Sequence, residues 1–169
     1  MSIVSEALTV LLNGFQNGAI FVLVAVGLSI ILGTLKFVNF AHGALYLIGV
    51  YVGLLVALEV NLTNGKLADW GYSQIGLDWG FLAALIVVPV VVFLIGLAFE
   101  RGVAQPFYDR PDTDQILVTF GLAIVLQEVF HLLFGSQSIN FAQPEWASGA
   151  INVPIIGSYP QWRLYIIVI

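Results

Sequence analysis

Charged residues are scarce in this 169-residue chain. Lys, Arg, Asp and Glu together make up 9% of it, whereas about 25% is usual in soluble domains. None of the four occurs between Ala7 and Leu35 or between Phe37 and Leu58. Apolar runs of that length have no place in a soluble core, so they predict helices that cross a lipid bilayer.

Cysteine is absent, which excludes a disulfide framework and a thiol nucleophile. The chain also lacks the G-x-x-x-x-G-K-[ST] phosphate loop and the H-E-x-x-H and G-x-S-x-G signatures of common hydrolases. Its five basic residues are isolated and its net charge is −5, which argues against a nucleic-acid partner. We therefore expect this chain to be no enzyme and to hold no cofactor or metal ion.

Apolar sequence is what the chain has in abundance. Hydrophobic residues make up 60% of it and its mean hydropathy is +1.00. This predicts an all-α fold, a polytopic transmembrane helical bundle with about four complete spans and the start of a fifth. The spans are predicted at Asn13–Leu35, Ala44–Leu58, Phe81–Phe99 and Ile116–Phe134, with the fifth beginning at Trp162. The fifth run is too short to cross a bilayer, so residues 1–169 are expected to form one transmembrane domain, truncated at its C-terminal end.

Basic residues in the loops indicate an orientation. The predicted loops are Glu59–Gly80, Glu100–Gln115 and Gly135–Gln161. Short cytoplasmic loops are enriched in Lys and Arg. Arg101 and Arg110 therefore place the second loop inside, together with Lys36, and the other two loops outside.

The turn Lys36–Gly43, between the first two spans, is the main candidate for a functional site. Asn39 is a good capping residue and is predicted to cap the second helix. Gly43 would let another backbone approach closely. His42 has two interpretations: a polar group of a broken helix beside a translocation path, or a structural residue that bonds to a neighbouring carbonyl.

A second group of polar residues lies in the fourth predicted span. Glu128 and His131 are three positions apart and so share a helix face. They are compatible with half of a di-iron site, with a proton relay, or with a position near the outer end of the span where water reaches them. Gln127 would either bond to a neighbouring helix or line a pore.

Three further residues are candidates for helix packing and helix breaking. Gly49 and Gly53 form a G-x-x-x-G pair, which favours close approach of two helices. Pro89 lies in the middle of the third span and is predicted to kink it, since proline removes one helical hydrogen bond.

Several of these segments resemble one known family. Val38–Gly43, followed by the run Ala44–Tyr51, resembles the signature of bacterial branched-chain amino-acid ABC transporter permeases, in particular the H-type of their two membrane subunits. Glu100-Arg101 with Pro106 is similar to the cytoplasmic loop of that family. Thr119–Leu122 with Leu126-Gln127 is similar to its next helix.

The resemblance implies a permease domain in the bacterial inner membrane that crosses the bilayer several times. Such a subunit would import branched-chain or related amino acids, with Asn39, His42 and Gln127 as candidates for the substrate path. The implied partners are a second permease subunit, cytoplasmic ATPase subunits that hydrolyse the ATP, an extracytoplasmic solute-binding protein, membrane lipid and the amino-acid substrate. Two alternatives stay open: an ion-coupled secondary transporter, and a membrane scaffold subunit that transports nothing.

Overall fold

The computed structural model describes residues 3–136, 139 and 144–168. Six α-helices account for most of these residues, and two short two-stranded sheets lie between them. The helices are α1 Ile3–Leu35, α2 His42–Ala57, α3 Lys66–Asp69, α4 Phe81–Phe99, α5 Asp112–Phe134 and α6 Gln161–Val168. The strands are β1 Val60–Asn61, β2 Gln74–Ile75, β3 Ala150–Val153 and β4 Gly157–Pro160.

The lengths of the helices confirm the predicted class of helical membrane protein. Three helical stretches in the described part are long and apolar enough to cross a bilayer: Ile3–Leu35, Phe81–Phe107 and Asp112–Phe134. Helix α2 is also apolar but has only 16 residues. At 1.5 Å per residue it is about 24 Å long, which is less than the ~30 Å of a typical hydrocarbon layer.

The predicted loop Glu100–Gln115 is mostly helical, so this prediction was wrong. Helix α4 continues without interruption into a π-helical segment, Glu100–Ala104, and then into a 3₁₀ turn, Gln105–Phe107. Pro106 lies at the start of the 3₁₀ turn and does not stop the helical stretch, which continues to Phe107. Only residues 108–111 separate this stretch from α5.

The predicted polar loop Glu59–Gly80 is folded, and it closes over the end of α2. Strands β1 and β2 pair antiparallel, with Val60 opposite Ile75. The N–H of Leu77 donates to the carbonyl of Leu55 at 2.7 Å, and the N–H of Trp79 donates to that of Val56 at 3.0 Å. These bonds occupy carbonyls of the last turn of α2, which otherwise have no partner within the helix.

The same loop reaches the C-terminal end of α5 through Gly65. A Cβ atom at Gly65 would lie 2.5 Å from the backbone nitrogen of Gly135 and 2.6 Å from the carbonyl oxygen of Leu133. Both glycines have positive φ angles, 93° and 83°. The turn Asn64-Gly65 therefore depends on glycine for its conformation and for the space beside it.

Helices α2 and α4 pack closely through the predicted glycine pair. A Cβ atom at Gly49 would be 3.5 Å from Val92 Cγ2, and one at Gly53 would be 3.4 Å from Val88 Cγ2. The valines thus fill the space that glycine leaves, as small residues allow at helix interfaces. Helix α4 runs through Pro89 without a break, and Pro89 itself is exposed.

The contacts within the chain define two compact units, residues 1–27 with 142–169 and residues 28–141. In the first unit, β3 and β4 form an antiparallel hairpin within the predicted loop Gly135–Gln161. The Tyr159 hydroxyl donates to Asn13 Oδ1 at 2.9 Å, and Arg163 Nη1 donates to the same oxygen at 2.6 Å. The second unit contains α2 to α5 and the candidate site. The single domain expected from the sequence stays a prediction.

Candidate functional site

The chain leaves α1 through an unusual backbone conformation. The N–H of Lys36 makes the last helical bond, to the carbonyl of Leu32 at 3.1 Å. Lys36 then adopts a φ angle of 51°, in the left-handed region that side chains other than glycine seldom occupy. The following residue, Phe37, is buried with 1% of its surface exposed. The turn is therefore anchored by a buried ring directly after a strained residue.

Two side chains of α5 bind the backbone of this turn. The N–H of Val38 donates to Gln115 Oε1 at 3.0 Å, and the N–H of Phe40 donates to Thr119 Oγ1 at 3.1 Å. Gln115 is 3% exposed and Thr119 is fully buried. We call the pair Gln115 and Thr119 the clamp, and residues 36–41 the clamped segment.

The spacing of the two clamp residues matches the spacing of the two N–H groups that they bind. Residues four apart on a helix share a face and are separated by about 6 Å along its axis. Val38 and Phe40 are two apart and Gln115 and Thr119 are four apart, so donors and acceptors come into register.

The remaining polar atoms of the clamp are also satisfied. Gln115 Nε2 donates to the carbonyl of Arg110 at 3.0 Å. The nearest acceptor for the Thr119 hydroxyl hydrogen is the carbonyl of Gln115, at 2.7 Å. Each such bond contributes about 0.5–1.5 kcal/mol net, but a buried N–H that loses its acceptor costs about 1–3 kcal/mol. The larger effect of the clamp is therefore to keep the N–H groups of Val38 and Phe40 from losing their acceptors, and the smaller effect is the net gain from the bonds themselves.

Asn39 shapes the turn, although it is not the N-cap residue of α2. Its Oδ1 accepts the N–H of Ala41 at 2.9 Å, which closes an Asx-turn. Helix α2 begins at His42 with Ala41 in the cap position, and no side chain caps it directly. The predicted cap was therefore wrong: Asn39 lies two residues before the cap position, and its buried amide orders the backbone just ahead of the helix.

Small residues bring α2 against α5 immediately beyond the turn. Ala41, Ala44 and Ala123 form a buried cluster, with Phe99 and Leu122 among the side chains packed on it. Alanine at these positions keeps the two helices close, and so keeps the clamped segment within hydrogen-bonding distance of α5.

His42 and Gly43 face away from this packing. His42 is half-buried, and in the described part of the chain its imidazole forms no hydrogen bond. A Cβ atom at Gly43 would meet nothing within 4 Å. The predicted bond from His42 to a nearby carbonyl is therefore not formed, and the close backbone neighbour predicted for Gly43 is not found among the described residues.

The polar residues of the fourth predicted span lie apart from the clamp. Gln127, Glu128 and His131 are all exposed on α5, and no hydrogen bond or ion pair joins the side chain of any of them to another described residue. Among the described residues, Glu128 and His131 are therefore not joined as a proton-relay pair. Nor do three or more His, Cys, Asp or Glu side chains gather at one point anywhere among residues 3–136, 139 and 144–168.

An aromatic contact connects the clamped segment to the segment beyond α4. The rings of Phe37 and Tyr108 pack edge to face, with centroids 5.5 Å apart. The Tyr108 hydroxyl donates to Glu100 Oε1 at 3.2 Å. Partial burial raises the pKa of Tyr108 above its ordinary value, and the hydrogen bond to Glu100 and the negative charge of that carboxylate raise it further.

Sequence reasoning missed the clamp itself. Gln115 was assigned to a loop, and Thr119 was noticed only as part of a family-like motif. A signal was present: two polar side chains four residues apart in an apolar helix require a polar partner on one face. The partner is a backbone segment that lies 77 and 79 positions away in the sequence, which no local pattern reveals.

Comparison with known proteins places these features in a family context. A family model described as "Branched-chain amino acid transport system / permease component" matches residues 10–163. The permease protein LivH of the high-affinity branched-chain amino acid transport system of Escherichia coli (strain K12) is 26% identical over 140 residues, covering 81% of this chain and 42% of LivH. The corresponding BraD of Pseudomonas aeruginosa is 29% identical over 122 residues, covering 72% of this chain and 37% of BraD.

This chain thus spans less than half the length of the curated relatives that it matches. No solved structure matches it. The family match covers the clamped segment, α2, α4 and α5, and the long apolar helices agree with a protein embedded in a membrane. The chain belongs to the family of permease components of branched-chain amino acid transport systems.

Proposed function

We propose that this chain is a permease subunit of an ATP-driven importer of branched-chain or related amino acids, with several spans in the bacterial inner membrane. The family match over residues 10–163 supports this, as do relatives whose names specify branched-chain amino acid transport. The three long apolar helices support the membrane location. In this proposal the chain lines part of the translocation path.

The observation that carries the proposal is the ordered polar turn at the start of α2. A branched-chain amino acid has an aliphatic side chain, which suits apolar walls, and an ammonium and a carboxylate, which need a few polar contacts. Asn39 is held by its Asx-turn, and His42 beside it has a half-exposed imidazole with its hydrogen-bonding capacity free. His42 is therefore the first candidate for contact with a passing substrate.

Other subunits supply what this chain lacks. A second permease subunit completes the path, cytoplasmic ATPase subunits hydrolyse ATP, and a solute-binding protein delivers the substrate from outside. This chain performs no hydrolysis and binds no cofactor; its work is to alternate between two packed arrangements that ATP binding elsewhere biases. No hydrogen bond or ion pair joins the side chains of Glu128 and His131 in the described structure, so this pair offers no support for an ion-coupled carrier.

Uptake of labelled leucine by cells that contain the complete transport system tests the proposal. We expect uptake to continue when an uncoupler collapses the proton gradient while ATP is held constant, and to stop when ATP is depleted. Uptake that follows the proton gradient would establish the ion-coupled alternative. Failure to co-purify with an ATPase, together with no uptake, would establish the scaffold alternative.

Substitutions in the turn locate the path. His42→Ala and Gly43→Leu should reach the membrane at the parent level and transport more slowly, because His42→Ala removes no hydrogen bond within the described chain and a Cβ atom at Gly43 would meet nothing within 4 Å. Leu47→Ala on the same helix is the control for general damage to α2. Parent-like uptake by both variants would remove the turn from the substrate path.

A further inference from the structure

We propose that Gln115 and Thr119 are positioning residues of the transport cycle, and that each cycle requires the clamped segment to leave them. The inference rests on the proposed function as a permease. It concerns two residues of α5 whose side chains bind the backbone of the turn, the carbonyl of Arg110 just before α5 and backbone carbonyls of α5 itself. Three observations carry it.

The first observation is how the clamped segment is held. From Phe37 to Ala41, its N–H groups form no backbone–backbone hydrogen bond in the described structure. Val38 and Phe40 bond to the clamp, and Ala41 bonds to Asn39 within the segment. Separation from α5 has to break the two clamp bonds and the longer bond from the Thr119 hydroxyl to the Val38 carbonyl at 3.4 Å. None of the three belongs to the backbone ladder of either helix.

The second observation is stored strain at the upstream end. Lys36 is held at a φ angle of 51°. Backbone strain of this kind persists only where surrounding contacts impose it, and it favours release when they loosen. Here the imposing contacts are the buried Phe37 ring and the clamp immediately behind it. Opening the clamp would let Lys36 relax, which lowers the barrier to the open state.

The third observation is that the segment connects two elements, the first turn of α2 and the π-helical segment. Its downstream end leads directly into α2, which begins at His42. Its upstream ring, Phe37, packs on Tyr108, and Tyr108 bonds to Glu100 in the π-helical segment. π-Helical turns are rare and occur frequently at functional sites. A displacement at Glu100–Ala104 would therefore reach His42 through the clamped segment.

A reversible bridge tests whether the clamp has to open. The chain contains no cysteine, so an engineered pair is the only thiol pair in it. Phe40→Cys with Phe120→Cys replaces two rings whose centroids are 6.5 Å apart and leaves both clamp residues intact. A short bifunctional methanethiosulfonate reagent bridges the pair, and dithiothreitol removes the bridge. Leucine uptake is measured in the complete transport system before bridging, after bridging and after reduction.

We expect bridging to lower the initial rate of uptake by about tenfold or more, because it removes one of the two states that the cycle needs. Reduction should restore the rate. The matched control is Tyr51→Cys with Phe130→Cys, a pair of rings 4.6 Å apart that joins α2 itself to α5, farther from the turn. Bridging that pair should leave uptake unchanged. Full uptake with Phe40→Cys and Phe120→Cys bridged would overturn the proposal, and so would equal inhibition by both bridges, which would mean that α2 and α5 move as wholes.

A substitution separates positioning from simple folding. Thr119→Ser keeps the acceptor for the Phe40 N–H and should keep parent uptake, whereas Thr119→Val should reduce it at equal membrane level. Leucine uptake by the unbridged parent tests the permease activity independently. Absence of uptake by the parent would count against the proposed function and not against the clamp. Parent-like uptake by Thr119→Val at parent membrane level would show that the clamp positions nothing that transport uses.

Discussion

Thr119 accepts the N–H of Phe40 at 3.1 Å, across 79 positions of sequence, from a site with no exposed surface. This bond fixes one register of the turn against α5. Its partner bond, from Val38 to Gln115, fixes the same register one step earlier. Together they give the N–H groups of Val38 and Phe40 the acceptors that a strand or a helix would otherwise supply.

Replacing the Thr119 hydroxyl should therefore destabilise the protein. Thr119→Val keeps the shape of the side chain but leaves the Phe40 N–H without its acceptor, at a cost of about 1–3 kcal/mol. Thermal unfolding of the detergent-solubilised protein measures the effect. Thr119→Ser, the control, should unfold within a degree or two of the parent, as a loss of only a few tenths of a kcal/mol implies. Equal midpoints for Val and Ser would show that water satisfies the N–H.

The contrast between Gln115 and Gly49 shows how far sequence reasoning reaches. The packing of Gly49 and Gly53 against α4 follows from a local pattern, because spacing along one helix determines which face a partner covers. The role of Gln115 does not, because its partner is a backbone atom of a distant segment and carries no side-chain signature. The class of helical membrane protein was predictable because it follows from local hydrophobicity. The π-helical continuation of α4 was not, because hydrophobicity does not determine whether an N–H bonds to the carbonyl four or five residues before it.

A matched pair of glycines in the loop after α2 should respond very differently to alanine. Gly65 and Gly71 have nearly the same φ angles, 93° and 92°, so alanine is strained at both by about 1–3 kcal/mol. A Cβ atom at Gly65 would also collide with the backbone of residues 133–135, whereas one at Gly71 would meet nothing. Gly65→Ala should therefore lower the unfolding midpoint well beyond Gly71→Ala. Similar midpoints would mean that the loop and the end of α5 do not touch in the membrane.

Alkaline pH should act on the contact between Tyr108 and Glu100. The pKa of Tyr108 is raised above 10.0 in the folded protein, first by burial and then by the bond to Glu100. A raised folded-state pKa means that the stability it contributes is complete below pH 10.0 and is lost as pH rises through the folded value. Phenolate absorbance, compared between the parent and Tyr108→Phe, should show one tyrosine that ionises later than an ordinary tyrosine. Tyr108→Phe keeps the ring on Phe37, so a difference spectrum centred at or below pH 10.0 would count against the bond.

The orientation of the chain across the membrane can be determined by labelling variants that contain a single cysteine. Ser73 and Asp109 are both exposed, and the chain has no cysteine of its own. A membrane-impermeant maleimide added to intact cells should label Ser73→Cys. Asp109→Cys should react only after permeabilisation, because the basic residues near it favour the cytoplasmic side. Labelling in the opposite order would invert the topology and would place His42 at the outer face.

The shortness of α2 has a consequence for the surrounding lipid. A helix of 16 residues covers about 24 Å, so it falls short of a ~30 Å hydrocarbon layer by roughly one turn. The backbone that continues a short helix, here segment 36–41, comes close to the edge of that layer, where amides depend on protein groups as much as on water. Gln115 and Thr119 provide such groups: their side-chain oxygens accept the N–H groups of Val38 and Phe40, which would otherwise need solvent.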